Sequence, residues 1–198
     1  MAVHRLHVKT QVTSRARPMP HVVVTGGPGA GKTTLLIHLA AMGYRTVDDS
    51  ARAIIAERLA RGDSPRPDAL AFAREILRRD IEQYLSQPPA PKWIFFDRGL
   101  IDALGMIHEA SPLPSIELES TLAAYPFHAT VFVLPPWDLI YATDAERDQS
   151  FAEAVEVHAR IVRWYRSCGY VLNEVPRLPV AQRAEHVLHA LEENASRS

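Results

Sequence analysis

The stretch His21-Val22-Val23-Val24-Thr25-Gly26-Gly27-Pro28-Gly29-Ala30-Gly31-Lys32-Thr33-Thr34 decides the fold, because it reads as a buried strand, a glycine-rich turn and a helix start. Gly26 to Thr33 fits the phosphate-binding pattern G-x-x-x-x-G-K-[ST]. In such a loop the glycines let backbone N–H groups turn inward around a phosphate with no Cβ in the way. The following helix adds its free N–H groups and the positive end of its dipole. The expected cradle is Gly26, Gly27, Pro28, Gly29, Ala30, Gly31, Lys32, Thr33 and Thr34. Lys32 is placed to reach the β- and γ-phosphates and the Thr33 hydroxyl to ligate Mg²⁺, which takes few protein ligands and keeps most of its waters. Apolar and β-branched residues precede the loop, and Leu35, Leu36 and Leu39 follow it on helical spacing, so the pattern stands in the right context. Nucleotide binding is the reading that follows, and the fate of the γ-phosphate is the question it opens.

Working outward, 198 residues suffice for one domain with a full core, expected here over 20–198. With 47% hydrophobic and 23% charged residues the composition is that of a soluble globular chain. No apolar run is long enough to span a bilayer, so no membrane partner is expected. A net charge of -1 gives no global attraction to nucleic acid, and aromatic and basic residues are not interleaved as a nucleic-acid surface requires. The one cysteine, Cys168, has no internal partner for a disulfide, which points to a reducing cytoplasm. Residues 1–19 carry His4, Arg5, His7, Lys9, Arg15 and Arg17 without an acidic residue or clear periodicity, and are expected to be a mobile tail.

Along the chain, a helix is predicted from about Gly31 to Met42, ended by Gly43, then a short strand over Tyr44 to Val47. A helix capped by Asp49 or Ser50 follows, and after Gly62 to Pro67 a longer one whose apolar stripe is Leu70, Ala73, Leu77, Ile81 and Tyr84. Arg74, Glu75, Arg78, Arg79 and Glu82 mark its solvated side. Trp93 to Phe96 and Thr130 to Leu134 read as buried parallel strands, and Tyr170 to Leu172 as a further one. Helices follow each, with a capping box at Ser150 and Glu153 and a closing helix over Ala181 to Leu191. Alternating strands and helices imply an α/β fold, a parallel sheet covered on both faces, with ligands bound beyond the strand C-termini.

The charged residues at those strand ends fit phosphoryl transfer, which needs positive charge around the moving group, a metal, and a carboxylate near the nucleophile. Asp97, after four apolar residues, is the acidic partner for Mg²⁺ or its waters, or else a helix cap. Arg98 is suited to neutralise acceptor or transferring phosphate, or to a surface ion pair. Asp49 is suited to take or orient the acceptor proton, or to cap the next helix. Arg147, in a polar loop with Asp144 and Glu146, is either a lid arginine closing over the phosphates or a solvated charge. None of the nine histidines shows metal-ligand spacing, so no zinc site is expected.

Taken together, Gly26 to Thr33, Asp49-Ser50-Ala51-Arg52-x-Ile54-Ile55, Phe96-Asp97-Arg98-Gly99, Phe132 to Trp137, Asp144-x-x-Arg147, and Gly169-Tyr170 with Val175-Pro176 resemble a group of small bacterial P-loop proteins. The group is usually labelled AAA-type ATPase and includes the ribosylnicotinamide kinase domain of a bacterial NAD regulator. The resemblance implies a nucleoside- or nucleotide-kinase-like P-loop NTPase, a five-stranded parallel sheet of order 2-3-1-4-5, ATP as donor, and Asp49, Asp97, Arg98 and Arg147 around the phosphates. It also implies an adenine passing Pro176 and Arg177. The family tends to have Glu where this chain has Asp49, a shorter acid that needs a closer acceptor. Nothing marks the sensor elements or second helical domain of ring-forming AAA machines. The expected function is a kinase acting on a small metabolite. The alternatives are a nucleotide-dependent ATPase switch acting on a partner protein, or a kinase of a macromolecule.

Overall fold

The computed structural model describes residues 20–65, 68–89, 92–141 and 150–197. The tail over 1–19 and the segment 142–149, which holds Asp144, Glu146 and Arg147, lie outside the described residues. Five strands, β1 (His21–Gly26), β2 (Arg45–Val47), β3 (Ile94–Asp97), β4 (Thr130–Leu134) and β5 (Val171–Glu174), form one sheet in the order β2-β3-β1-β4-β5. Every pairing is parallel. The order implied by the resemblance is the order found.

The apolar strands alternate their side chains between two cores, which is why they read as unbroken hydrophobic runs. Val22, Val24, Phe95 and Phe132 point to one face, where α1 (Lys32–Ala41) and α7 (Val180–Arg197) cover them with Leu35, Leu39, Val187 and Leu191. Val23, Ile94, Phe96 and Val131 point to the other, against α4 (Leu100–Ala110) and α6 (Phe151–Ser167) through Leu100, Leu104 and Tyr165. A third cluster, Ile54, Phe72, Ile76 and Ala103, joins α2 (Ser50–Ala60) and α3 (Ala69–Ser86) to α4. The short α5 (Ser115–Ala124) lies along the second core. No helix among the described residues is long and apolar enough to cross a membrane.

Several element ends differ from the sequence reading, β2 among them, which starts at Arg45 and not Tyr44. β3 runs to Asp97 because β1 still offers Val24 as its partner, and Trp93 lies before the strand, edge-on to His128. β5 starts after Tyr170 and runs on through Asn173 and Glu174, since β4 supplies Phe132 and Val133 opposite them. α7 continues to Arg197, beyond the apolar stripe. The stripe of α3 is also wider than predicted: Phe72 and Ile76 are buried with Ala73 and Tyr84, because α2 and α4 both pack on this helix. Its charged side is braced against α2, with Arg79 meeting Glu57 through two nitrogens and Arg58 reaching Glu75 at 3.6 Å.

Helices α4 and α6 meet at Gly105, where an added Cβ would stand 2.9 Å from the Trp164 ring while that ring donates from Nε1 to the Ile101 carbonyl at 2.7 Å. Gly105→Val should lower stability by about 1–3 kcal/mol, since the indole has to leave its hydrogen bond or the helices must part. Urea unfolding checks this, and an unchanged midpoint would show that the contact yields freely.

Candidate active site

The site begins where β1 ends. Gly26 takes φ +142° because β4 lies directly alongside; a Cβ there would stand 2.5 Å from the Leu134 carbonyl oxygen. Gly31 takes φ +83° at the N-cap of α1, and no side chain caps this end, so the first N–H groups of the helix face outward into the loop. Thr33 and Thr34 are exposed there, whereas Ala30 is packed into the core beneath. Lys32 is buried, and its Nζ donates to the carbonyls of Gly26 and Gly27, both at 3.1 Å. Burial, with the Arg98 charge second, pushes the Lys32 ammonium down to about 7, against the pull of Asp97, Asp49 and Asp102. A phosphate brought to Nζ reverses that balance, which is the electrostatic property a phosphate-binding lysine needs.

At the end of β3, Asp97 sits in register with Val24 and is 8% exposed. Its Oδ1 has no hydrogen-bond partner among the described residues. Burial raises its pKa, with Asp49 adding to this and Lys32, Arg98 and Arg52 opposing it. A buried carboxylate oxygen left unpaired beside the loop, with the exposed Thr33 hydroxyl at the start of α1, is a donor set that fits Mg²⁺. Asp97 does not cap α4; Gly99 stands at that cap.

Arg98 follows in a left-handed conformation, φ 66°, which a non-glycine residue adopts only when its surroundings hold it there. They do so on every side. Its backbone N–H donates to the Val24 carbonyl at 2.9 Å, Nη2 donates to the Gly26 carbonyl at 3.0 Å, Nη1 to Asp102 at 3.2 Å, and Nε lies 3.5 Å from Asp49. Burial alone would lower its pKa, but Asp102, Asp49 and Asp97 outweigh it and the net shift is upward. Asp102 is itself fixed by Thr25 at 3.0 Å, by Tyr165 at 2.6 Å and by the Gly99 N–H at 3.3 Å. Asp49 caps α2 with one oxygen, accepting from the Ala51 N–H at 2.9 Å, and turns the other toward Arg98. The helix-cap reading of Asp49 therefore holds, and its second oxygen is engaged by Arg98.

The structure adds residues that the sequence reading did not select. Arg52 and Arg183 line a cleft of about 260 Å³ together with Gly29, Gly31, Lys32, Thr33 and Thr34. A larger groove of about 380 Å³ between α6 and β5 contains no loop residue, so chemistry and not size identifies the site. Asp80, on α3, lies near Asp49, Asp102 and Arg98; burial pushes its carboxyl up to about 7, against the pull of a hydrogen bond with Ser50. Its signal was in the sequence: Phe72, Ile76 and Tyr84 are buried at four-residue steps, and Asp80 completes the series. Beyond β5, Arg177 donates to the Pro136 carbonyl at 2.9 Å and ties the segment where an adenine was expected to the exit of β4.

Comparison with known proteins agrees with this architecture. A family model described as an AAA domain matches residues 21–183. The NadR protein in complex with NR is similar over 90% of this chain and 52% of its own, at 18% identity and a TM-score of 0.65. The deoxyadenosine kinase from M. mycoides with bound dCTP matches over 87% of this chain and 99% of its own, at 14% identity and a TM-score of 0.60. The thymidylate kinase from Ehrlichia chaffeensis matches over 88% of this chain and 100% of its own, at 11% identity and a TM-score of 0.56. The chain thus spans about half the length of the NadR chain, and at these identities the likeness is one of fold. No curated protein is significantly similar in sequence.

The position of Asp80 has a consequence for stability. Its folded pKa lies above that of an unfolded aspartate, about 3.9, so the folded state binds the proton more tightly. The stability this proton confers is complete below about pH 4 and is lost as the pH rises through about 7. Asp80→Asn should therefore gain on the wild type between pH 4.5 and pH 8 in urea unfolding, and an equal difference at both pH values would place the carboxylate in solvent.

Proposed function

This chain belongs to the AAA domain family, and we propose that within it the protein is an ATP-dependent phosphotransferase that moves the γ-phosphoryl group to a hydroxyl of a small metabolite. The named kinases that share its fold support the reaction class. The observation that carries the proposal is the set of four carboxylates, Asp49, Asp80, Asp97 and Asp102, gathered around one arginine beyond the phosphate loop. Holding a nucleotide does not require Asp49 and Asp80.

Their arrangement favours a hydroxyl acceptor over a phosphate. Arg98 already has each guanidinium nitrogen engaged by protein oxygens, so it has little left for an acceptor phosphate. An anionic acceptor would also face Asp49 and Asp80 across a poorly screened cleft. A neutral hydroxyl meets the opposite situation, since a carboxylate accepts its proton as the oxygen attacks. In this account Lys32 and the loop N–H groups hold the β- and γ-phosphates, and Arg52, which forms no ion pair among the described residues, faces the group in transfer. Asp49 orients the acceptor hydroxyl and receives its proton, with Arg98 as the positioning residue that aims Asp49 and fixes the loop. Thr33 and Asp97 would hold Mg²⁺, which when bound neutralises the charge that develops on the phosphoryl oxygens.

A panel of nucleosides, sugars and amino alcohols, each beside its monophosphate, tests this by ADP release from ATP. At least one neutral acceptor should raise the rate over basal hydrolysis while its monophosphate does not. Asp49→Asn should lower turnover with that acceptor by about 10²- to 10⁴-fold and leave ATP affinity unchanged. ADP release indifferent to every small acceptor and raised by a partner protein would replace the kinase with a switch, and preference for a monophosphate would overturn the choice of acceptor.

A further inference from the structure

Arg183 stands in the first turn of α7, far in sequence from every motif of the loop, and is 6% exposed. Its contacts within the protein are poor for a buried cation. Nη1 lies 3.4 Å from the Gly31 carbonyl, at the long end for a hydrogen bond, and the guanidinium carbon is 5.7 Å from the centre of the Trp137 ring. Its Nε is buried without a partner, and no carboxylate pairs with the side chain, among the described residues. An arginine does not shed its proton to escape burial, so a buried, unpaired guanidinium is destabilising unless an anion meets it. The cleft it lines is the one formed by the phosphate loop.

We propose that Arg183 is a nucleotide-binding residue that pairs with the α-phosphate, with Trp137 as the aromatic plate that holds its guanidinium in the cleft. This rests on the reading that the loop binds a nucleoside triphosphate. The choice of the α-phosphate follows from the layout of charge. Arg52 is on α2, whose cap Asp49 meets Arg98 at the transfer end of the cleft, whereas Arg183 is on α7 and sits against Gly31 and Trp137. Lys32 covers the β- and γ-phosphates between them. The fit at Gly31 is close, since a Cβ there would stand 2.8 Å from Nη1 of Arg183.

Calorimetric titration of ATP and of ADP, each with Mg²⁺, into wild type, Arg183→Met and Arg183→Lys tests the assignment, with thermal unfolding of each protein without nucleotide. Arg183→Met should unfold at or above the wild-type temperature, because it removes an unpaired buried charge. It should lose about tenfold or more in affinity for ATP and ADP alike, since both carry the α-phosphate. Arg183→Lys should recover part of that loss. Wild-type affinity for both nucleotides in a folded Arg183→Met overturns the proposal, and a loss confined to ATP moves the contact to the γ-phosphate and overturns it as stated. If Arg183→Met unfolds early while Arg183→Lys binds as wild type, the residue is a structural brace and the proposal also fails. A wild type that binds neither nucleotide overturns the nucleotide reading itself, which is a separate result.

Discussion

The carbonyl oxygen of Gly26 accepts from two cations at once, Lys32 Nζ at 3.1 Å and Arg98 Nη2 at 3.0 Å, and the rest of the site depends on that shared contact. It ties the turn after β1 to the turn after β3, which fixes the loop relative to the end of the strand that carries Asp97. Two positive groups this close repel, and each is buried. Asp49, Asp97 and Asp102 offset the repulsion, and the strain of the left-handed Arg98 persists because Thr25, Tyr165 and the Gly99 N–H fix the Asp102 carboxylate against which it is held.

From this follows a division of charge along the cleft. The loop side presents Lys32, Arg52, Arg183 and the open end of α1, all suited to a polyphosphate. The side beneath α2 and α3 presents Asp49 and Asp80, suited to hydroxyls. Asp97 lies at the boundary, with an unpaired oxygen, where phosphate and acceptor would meet. A site that only held a nucleotide would need the first side alone.

How much of this was legible in the sequence depends on the distance over which each feature is determined. The loop, the strand before it, Asp97 at a strand end and Asp49 as a cap are local patterns, readable from a few neighbouring residues. Arg98 was singled out by position, but its conformation and its engagement by Gly26, Asp49 and Asp102 come from three separated segments and leave no local signal. Asp80 was legible in principle, as an acid at a buried spacing of α3, and was hidden by the charged run around it. Arg183 gave no signal, since a charge in the first turn of a helix reads as solvated until α7 docks on α1. The same long-range packing pairs Arg79 with Glu57 where the sequence suggested a free surface. Arg147 lies outside the described residues, so the lid reading stays with the sequence alone.

On the nucleotide reading the turn around Lys32 holds the phosphates of a nucleotide. Its most direct test is titration of ATP with Mg²⁺ into wild type and Lys32→Ala by calorimetry, with circular dichroism on both proteins. The wild type should show one site and Lys32→Ala a loss of about tenfold or more, with an unchanged spectrum, because Lys32 faces the loop and not the core. Equal affinity in a folded Lys32→Ala would contradict it.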